Sequence, residues 1–258
     1  MILKDIITII EKTAPLNLQD GFDNSGLQVG LPSQEVRAVL VCLDVTEEIL
    51  AQAVRGGYDL VLSHHPLLFH PLKSVSDASY QQRCVRTAVA NGIAVYSAHT
   101  SLDNAPGGVN HRIADIIGVR GLEWLSPKEG INAGSGVIGE LETPAKDEDF
   151  LEILKSRFRV TALRHSGTDG RTIKRVAICG GAGAFLLPDA VRKGADCFVC
   201  GEFHYHDYFE NGPVLLAELG HWQSEQFTCG LLRDILEKEA PSLRTDVTDI
   251  NTNPIEYR

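Results

Sequence analysis

The side chains best suited to chemistry are histidines and acids in three short segments, SHHPLLFHPLKS, SAHTSLDNAPGG and AELGHWQSEQF. These segments carry His64 and His65, His99 and Asp103, and His221 and Glu225, respectively. Imidazole and carboxylate ligands together suit borderline divalent ions such as Zn, Mn, Fe, Co or Ni. One carboxylate can bridge two such ions, and a water between them loses a proton near neutral pH. These residue types therefore predict a metal site with hydrolytic chemistry.

The position of each segment after an apolar strand-like run favours a shared site. Ligand sites in parallel α/β sheets lie beyond the carboxyl ends of the strands, where all three segments begin. His64 and His65 are adjacent at a strand end, so their side chains diverge and can serve two neighbouring metals more readily than one. His221 and Glu225 are four residues apart and share one face of a helix.

Each segment alone is weak evidence, because a single histidine at a strand end is usually a hydrogen-bonded structural residue. The prediction depends on all three segments meeting at one sheet edge. A fourth segment, GEFHYHD, has Glu202, His204 and His206, which could hold a metal, line the cavity or bind a substrate; we favour lining. The remaining histidines of interest, which we interpret as surface or structural residues, are His70, His111 and His165.

An internal duplication organises the elements that must position these residues. Residues 37–63 align without a gap on residues 174–200, and the string AVRxGxD recurs in both. Each copy reads as a strand, a helix that stops near glycine, and a second strand. An Asn-Gly pair follows each copy, before a further strand. Chance similarity between two generic βαβ units is the alternative, and the shared string makes it the weaker one.

The strand and helix alternation predicts an α/β fold with a mainly parallel sheet body built from two pseudo-symmetric βαβ-type halves. We divide the chain into a first half at 1–120, a small α/β insertion at 121–172 and a second half at 173–258. In the insertion, SGVIGEL and VTALRHSG read as strands, and DEDFLEILKSRF reads as a helix with acidic residues at its start.

Composition restricts the possible partners and compartments. The 258 residues carry a formal net charge of −10 and contain no Lys/Arg run, so general nucleic-acid binding is unfavourable. No apolar stretch approaches the roughly 20 residues needed to span a bilayer. The N-terminal MILKDIITIIEKTAPL is interrupted by Asp5 and Glu11, which favours an amphipathic helix over a signal peptide. Six scattered cysteines suggest buried thiols in a reducing cytoplasm.

Two further motifs have simple structural explanations. Cys197 and Cys200 form a CxxC within a predicted strand, where positions i and i+3 face opposite sides, which disfavours a redox or zinc pair. CGGAGAFLLPDAV resembles a phosphate loop but lacks both the GxGxxG spacing and the Lys-Ser/Thr pair. We interpret it as a tight turn from a strand to a helix.

Taken together, the motifs resemble the YbgI/NIF-three-like family, whose members are often catalogued as GTP cyclohydrolase 1 type 2. The strings that carry the resemblance span nearly the whole chain in the family's order: DNSGLQVG, LDVTEEIL, SHHPLLF, SAHTSLDNAPGGVNHRIAD, CGGAGA, GADCFVCGEFHYHD and HWQSEQF. Some family members carry a large extra domain in the middle, and the short 121–172 segment indicates that it is absent here.

The resemblance implies a site for two divalent ions in each chain. His65 and Asp103 would hold one ion, His64 and His221 the other, and Glu225 would bridge them. It also implies homo-oligomers, often a toroidal hexamer with the metal sites facing an inner cavity.

Three functions are compatible with this reading. The first is a metal-dependent hydrolase of a small nucleotide or pterin-like substrate, in which Glu225 and the metals position water and His99 acts as an acid/base or supports a ligand. The second is a metal chaperone or store without turnover, and the third is a protein–protein adaptor that metal stabilises. The sequence has no recognisable guanine or triphosphate motif, and its net charge is unfavourable for a highly anionic substrate.

Overall fold

The computed structural model describes residues 1–256. They form two compact units: residues 1–102 with the segment from residue 228 onward, and residues 103–227. These bounds differ from the divisions 1–120, 121–172 and 173–258 predicted above. The C-terminal helix and strand join the elements of the first unit, while the strands of the predicted insertion belong to the sheet of the second.

The helices are α1 (Leu3–Thr13), α2 (Glu47–Gly56), α3 (Tyr80–Ala90), α4 (Thr100–Asp103), α5 (Val109–Ile117), α6 (Asp147–Phe158), α7 (Leu187–Arg192), α8 (Asp207–Glu210), α9 (His221–Glu225) and α10 (Thr228–Glu239). The strands are β1 (Gly26–Val29), β2 (Ala38–Cys42), β3 (Leu60–Ser63), β4 (Ala94–Ser97), β5 (Val119–Pro127), β6 (Gly134–Lys146), β7 (Arg164–His165), β8 (Thr172–Cys179), β9 (Cys197–Cys200), β10 (Leu215–Glu218) and β11 (Arg244–Val247). Short 3₁₀ turns cover Leu16–Leu18 and Ala184–Leu186.

The sheet of the first unit has the strand order β1-β4-β3-β2-β11. Strands β4, β3, β2 and β11 are parallel, and β1 pairs antiparallel with β4 at the edge. The three strands β2, β3 and β4 are buried along their whole length, as expected for parallel strands covered on both faces. Their carboxyl ends therefore lie at one edge, and the residues that follow them can meet there.

The sheet of the second unit has the order β5-β6-β8-β9-β10-β7. Its centre, β8-β9-β10, is parallel, whereas β5, β6 and β7 add antiparallel pairs toward the edges. The predicted α/β class with parallel strands is confirmed, and each half of the duplication makes its own sheet.

The duplication is visible in the strand register. Cys42 of β2 pairs with Ser63 of β3, and Cys179 of β8 pairs with Cys200 of β9, so both pairs are related by the same shift of 137 positions. Parallel strands β4 and β10 then extend the two sheets in the same manner. Each half is consequently a βαβαβ unit with equivalent strand ends.

Local sequence explains why α2 spans its residues. Thr46 caps the amino end, where its side chain accepts a hydrogen bond from the backbone N–H of Ile49. Gly57 ends the helix with a φ of +67°, a left-handed conformation that glycine adopts without steric cost. Helix α1 likewise follows its apolar pattern, because Ile6 and Ile10 are fully buried.

The cysteines behave as small core residues. All six are free and buried, and burial raises the pKa of both Cys197 and Cys200. The two thiols lie on a buried strand, as the sequence suggested. Within residues 1–256, no helix combines the length and the apolar character that crossing a bilayer requires.

Candidate metal centre

Two adjacent histidines follow β3 in the first unit. His64 is fully buried, and the His65 side chain keeps 20% of its surface exposed. The backbone N–H groups of His64 and His65 donate to the carbonyls of Cys42 and Leu43, at 3.3 and 2.9 Å. This pairing continues the β2–β3 ladder beyond its last residues, so the sheet itself fixes the pair. The two ring centroids are 4.9 Å apart with planes tilted by 42°.

A third imidazole joins this pair from the end of β4. The ring of His99 lies 5.3 Å from that of His64 and 5.4 Å from that of His65, between centroids. One potential ligand nitrogen from each of the three lies within 4.8 Å of the others. Three imidazoles this close form a group able to hold a divalent ion. Sequence reasoning gave His99 an acid/base or supporting role; the structure places its ring in the histidine group itself.

Each ring of this histidine group is oriented through its Nδ1 atom. Nδ1 of His64 lies 2.8 Å from the carbonyl oxygen of Ala98. Nδ1 of His65 lies 2.7 Å from Oδ1 of Asp44, and Nδ1 of His99 lies 2.7 Å from Oδ1 of Asp23.

These contacts determine which nitrogen is the potential ligand. A carbonyl or carboxylate oxygen only accepts, so Nδ1 carries the proton and donates it. The lone pair of the neutral ring is then on Nε2. Histidines that bind metals through one nitrogen and donate the other to a carboxylate or carbonyl are the usual arrangement in metal sites, where the partner fixes the tautomer and the ring direction.

The two supporting aspartates are held in the ionised form that accepts these protons. Burial raises the pKa of Asp23, but hydrogen bonds from His99, Thr100 and Ser25, together with the charge of His99, outweigh it and lower the pKa well below 3.8. Burial likewise raises the pKa of Asp44, and the hydrogen bond and charge of His65 bring it below 3.8.

Asp23 also orders the loop that carries His99. Its Oδ2 accepts from Ser25 Oγ at 2.7 Å, and from the backbone N–H and Oγ of Thr100 at 3.0 and 2.6 Å. Ser25 Oγ in turn accepts from the backbone N–H of His99 at 3.1 Å. A single carboxylate therefore fixes both the ring and the backbone of His99.

Sequence reasoning did not assign a role to Asp23 or Asp44. Asp44 comes two residues after β2, at the same edge as His64 and His65, so the strand-end rule could have indicated it. Asp23 precedes β1 and has no such positional signal. Only its place in the DNSGLQVG string pointed to it.

In the second unit, Asp103 is the last residue of α4. The buried side chain of Asn110 donates to its backbone carbonyl at 3.1 Å. Oδ1 of Asn110 accepts from the backbone N–H of Gly180 at 3.0 Å. This amide therefore links Asp103 to the glycine-rich loop after β8, a connection that no sequence pattern indicates.

His221 and Glu225 lie four residues apart on α9, as predicted. Nε2 of His221 is 3.2 Å from Oε2 of Glu225, whose side chain is only 4% exposed. Two ligands of one tetrahedral zinc ion are separated by about 3.3 Å, given bonds of about 2.0 Å. Nδ1 of His221 is 3.0 Å from Oε1 of Glu202, so this ring also has a carboxylate at its other nitrogen.

The loop CGGAGA packs directly against this pair. A Cβ placed on Gly181 would collide with Oε1 of Glu225 and lie 3.3 Å from Nε2 of His221. Gly181 has a φ of +59°, and its N–H donates to Oγ of Ser224 at 3.0 Å. Ser224 Oγ donates to the His221 carbonyl at 2.7 Å. The loop is a tight strand-to-helix turn, as predicted, but it also shapes the space around the two candidate ligands.

The GEFHYHD segment divides into one inner and two outer residues. Glu202 contacts His221, as described above, and occupies the position equivalent to His65 in the duplication. His204 and His206 are exposed; Nδ1 of His204 is 3.5 Å from Oδ2 of Asp207. Glu202 thus orients a neighbouring side chain, a role not weighed from the sequence.

The three histidines interpreted from the sequence as surface or structural residues are either exposed or packed against another aromatic ring. His70 and His165 are exposed, and Nδ1 of His165 lies 2.7 Å from the carbonyl of Ser166. His111 is half-buried with its ring 4.9 Å from that of Trp124. Burial lowers the pKa of His111 and outweighs the opposite effect of Asp115.

The fold and these side chains define an α/β protein with buried groups of histidine and carboxylate able to bind metal. The sequence model of the family described as Duf34/NIF3 (NGG1p interacting factor 3) matches residues 1–254. The chain belongs to this family.

Relatives extend over the whole chain. A Clostridium perfringens protein named GTP cyclohydrolase 1 type 2 homolog is 36% identical over 251 residues, covering 96% of this chain and 94% of the relative. The solved structure of a Staphylococcus aureus hypothetical protein is 27% identical, has a TM-score of 0.92 and covers 100% of this chain and 99% of its own. The structure of a protein named ybgI, described as of unknown function, is 25% identical with a TM-score of 0.83, covering 99% and 100%.

Proposed function

We propose that this protein binds two divalent metal ions through His64, His65, Asp103, His221 and Glu225, and uses them to hydrolyse a small nucleotide or pterin-like molecule. By resemblance to the family, His65 and Asp103 would hold one ion, His64 and His221 would hold the other, and Glu225 would bind both.

The observation that supports this proposal most is the shared arrangement of the ligand histidines. His64, His65 and His221 each have an oxygen acceptor at Nδ1, at 2.8, 2.7 and 3.0 Å. Such a partner fixes the tautomer of a ligand ring and increases its basicity, and it leaves Nε2 of all three rings as the potential ligand atom. A Cβ on Gly181 would collide with Glu225, which is a second sign that the loop leaves no room for a side chain beside this carboxylate.

The donor set fits borderline divalent ions. Three imidazoles and two carboxylates suit Zn, Fe, Mn, Co or Ni and are less suited to Mg or Ca, which prefer oxygen ligands throughout. Bound ions would supply Lewis acidity that activates water for attack on the substrate.

His99 has the properties of a proton-transfer group beside the ligands. Asp23 accepts a hydrogen bond from Nδ1, which leaves the lone pair of Nε2 to accept a proton from water and return it to a leaving group. The arrangement of a carboxylate behind an imidazole is the same one that sets the tautomer of a general base in other hydrolases. Glu225 would hold the ions and orient water.

The relative's name, GTP cyclohydrolase 1 type 2 homolog, supports a nucleotide-like substrate and ring-opening hydrolysis. The formal net charge of −10 is unfavourable for a triphosphate. We therefore define the substrate by its ring, which is a nucleotide base or a pterin. By family resemblance we also propose a homo-oligomer, which light scattering can test.

The proposal is tested with protein loaded with Zn, Fe or Mn and screened against nucleotides, pterins and phosphoesters, with elemental analysis of the same samples. We expect two ions per chain and turnover that is lost, together with the ions, in Glu225→Ala. Two bound ions without turnover on any substrate would contradict the enzymatic half of the proposal and favour a metal carrier. A Glu225→Ala protein that keeps both its ions and its activity would refute the ligand assignment.

A further inference from the structure

A cavity of about 620 Å³ lies within the first unit, and His65 and Asp44 form part of its wall. It is bounded by the residues that follow β2 and β3, by the start of α2 and α3, and by residues 250–254. A cavity of this size accommodates a small ligand. The candidate ligand His65 therefore borders a space that a substrate can enter from one side.

One wall of the cavity is rigidly tied to His65. Asp44 accepts from Nδ1 of His65 through Oδ1 and from Oγ1 of Thr252 through Oδ2, at 2.7 and 2.6 Å. Next to Thr252, Oδ1 of Asn251 accepts from the backbone N–H of Asn253 at 2.9 Å, which directs its amide NH₂ group as a donor. This wall offers fixed polar groups beside the apolar Ile250 and Pro254.

Tyr80 and Glu48 provide two further functional groups in the lining. Tyr80 is the first residue of α3 and is 47% exposed, so a ring face is available for stacking. Glu47 is engaged by Arg83, with 2.7 Å between Arg83 Nη2 and Glu47 Oε1. Its neighbour Glu48 is exposed in the first turn of α2, where its carboxylate is a bidentate hydrogen-bond acceptor.

The carboxylates of the cavity wall give it negative charge. Asp44, Glu47 and Glu48 line it, and among the described residues of its wall there is no lysine or arginine. The amino end of α2 would by itself attract an anion, but the two glutamates of its first turn oppose that effect. Apart from an ion held at His65, a triphosphate placed here would meet like charge, because Arg83 is already paired with Glu47.

We propose that this cavity is the subsite for the ring of the substrate, and that it takes a neutral or cationic planar nitrogen heterocycle while excluding phosphate. Glu48 accepts paired N–H groups from the ring edge, as in the amino-oxo edge shared by guanine and pterin. Tyr80 packs on the ring face, and Asn251 donates to a ring nitrogen or carbonyl. The inference rests on the proposed hydrolytic function and narrows its substrate class to nucleosides, bases or pterins rather than nucleoside triphosphates.

The test compares guanosine with GTP, a pair that differs only in the triphosphate, and adds pterin as a ring without sugar. Binding to metal-loaded protein is measured by isothermal titration calorimetry. We expect guanosine or pterin to bind at least as tightly as GTP. Glu48→Gln should weaken binding of the ring at least tenfold, Tyr80→Leu should weaken it similarly, and Tyr80→Phe should retain it. Glu35→Gln, an exposed glutamate that does not line the cavity, is the control for charge removal.

Three results would overturn the subsite: no binding of either phosphate-free ligand, GTP binding tenfold tighter than guanosine, or unchanged binding in Glu48→Gln. Elemental analysis separates this failure from that of the proposed function. The Glu48 and Tyr80 variants should keep two ions per chain, so lost ring binding with intact metal reports on the subsite alone. Metal missing from the unmodified protein would instead refute the metal centre.

Discussion

Gly181 and Glu225 are packed so closely that no side chain fits between them. A Cβ on Gly181 would collide with Oε1 of Glu225, and it would also lie 3.3 Å from Nε2 of His221. Glycine is required here for two reasons, because the φ of +59° also disfavours any other residue. The glycine-rich loop after β8 therefore protects the geometry of two candidate ligands.

Gly181→Ala should reduce metal affinity because Glu225 must move to make room for the methyl group. We expect a loss of at least about tenfold, the size of effect seen when a supporting contact of a metal ligand is removed. Gly194→Ala is the matched control: Gly194 has a φ of +67° in the same unit, but nothing lies within 4 Å of an added Cβ. Both substitutions strain the backbone, so a difference in metal affinity between them reports on the contact with Glu225. Competition with a chelating dye measures the two affinities. Equal affinities in the two variants would contradict the proposed role of Gly181.

Asp44→Ala should weaken metal binding without touching a ligand. Asp44 fixes the tautomer and direction of His65, and loss of such a partner typically lowers affinity about 10- to 100-fold. Asp5→Ala, which removes an exposed carboxylate from the first turn of α1, should leave affinity unchanged. Zinc titration monitored by calorimetry provides the measurement. Zinc affinity in Asp44→Ala equal to that of the unmodified protein would contradict the proposal that Asp44 supports His65 as a metal ligand.

The sequence predicted the duplicated strands well because they are continuous apolar runs closed by glycine turns. It also placed His64, His65 and His221 after strands, which the structure confirms as positions in the fold. It missed β11, since Arg244–Val247 has no apolar run and is recognised only by its pairing with β2. That pairing is what brings the C-terminal segment into the first unit, so the unit bounds were out of reach.

The supporting residues of the site were predicted less completely than the candidate ligands. Asp23 and Asp44 act through hydrogen bonds to histidines 76 and 21 positions away along the chain. The spacing of residues along the sequence does not indicate contacts between positions this far apart. Gly181 is similar: the sequence indicates a turn, while the closeness of Glu225 depends on tertiary packing. Chemistry-bearing residue types can be read from the sequence, whereas the groups that orient them require the fold.

If the proposed ligands hold one coupled pair of ions, loss of either His65 or Glu225 as a ligand should disturb both ions. We expect His65→Ala and Glu225→Gln each to bring the metal content below one ion per chain, because the bridging carboxylate couples the two positions. His165→Ala removes an exposed histidine and serves as the control. Elemental analysis after dialysis gives the stoichiometry. A His65→Ala protein that retains a full ion per chain would show that the two ion positions are independent.

His111 should make the stability of the protein fall as the pH is lowered below about 6.5. Burial lowers its pKa in the folded state relative to 6.5, so the unfolded chain takes up the proton first. The stabilising contribution is therefore complete above pH 6.5 and is lost progressively as the pH falls toward the folded-state pKa. His111→Phe keeps an aromatic contact with Trp124 but cannot titrate. Both proteins are compared in the metal-free form. Between pH 7.5 and 5.5, the melting temperature of the variant should fall less than that of the unmodified protein. Equal falls in the two proteins would refute the role of His111 in this pH dependence.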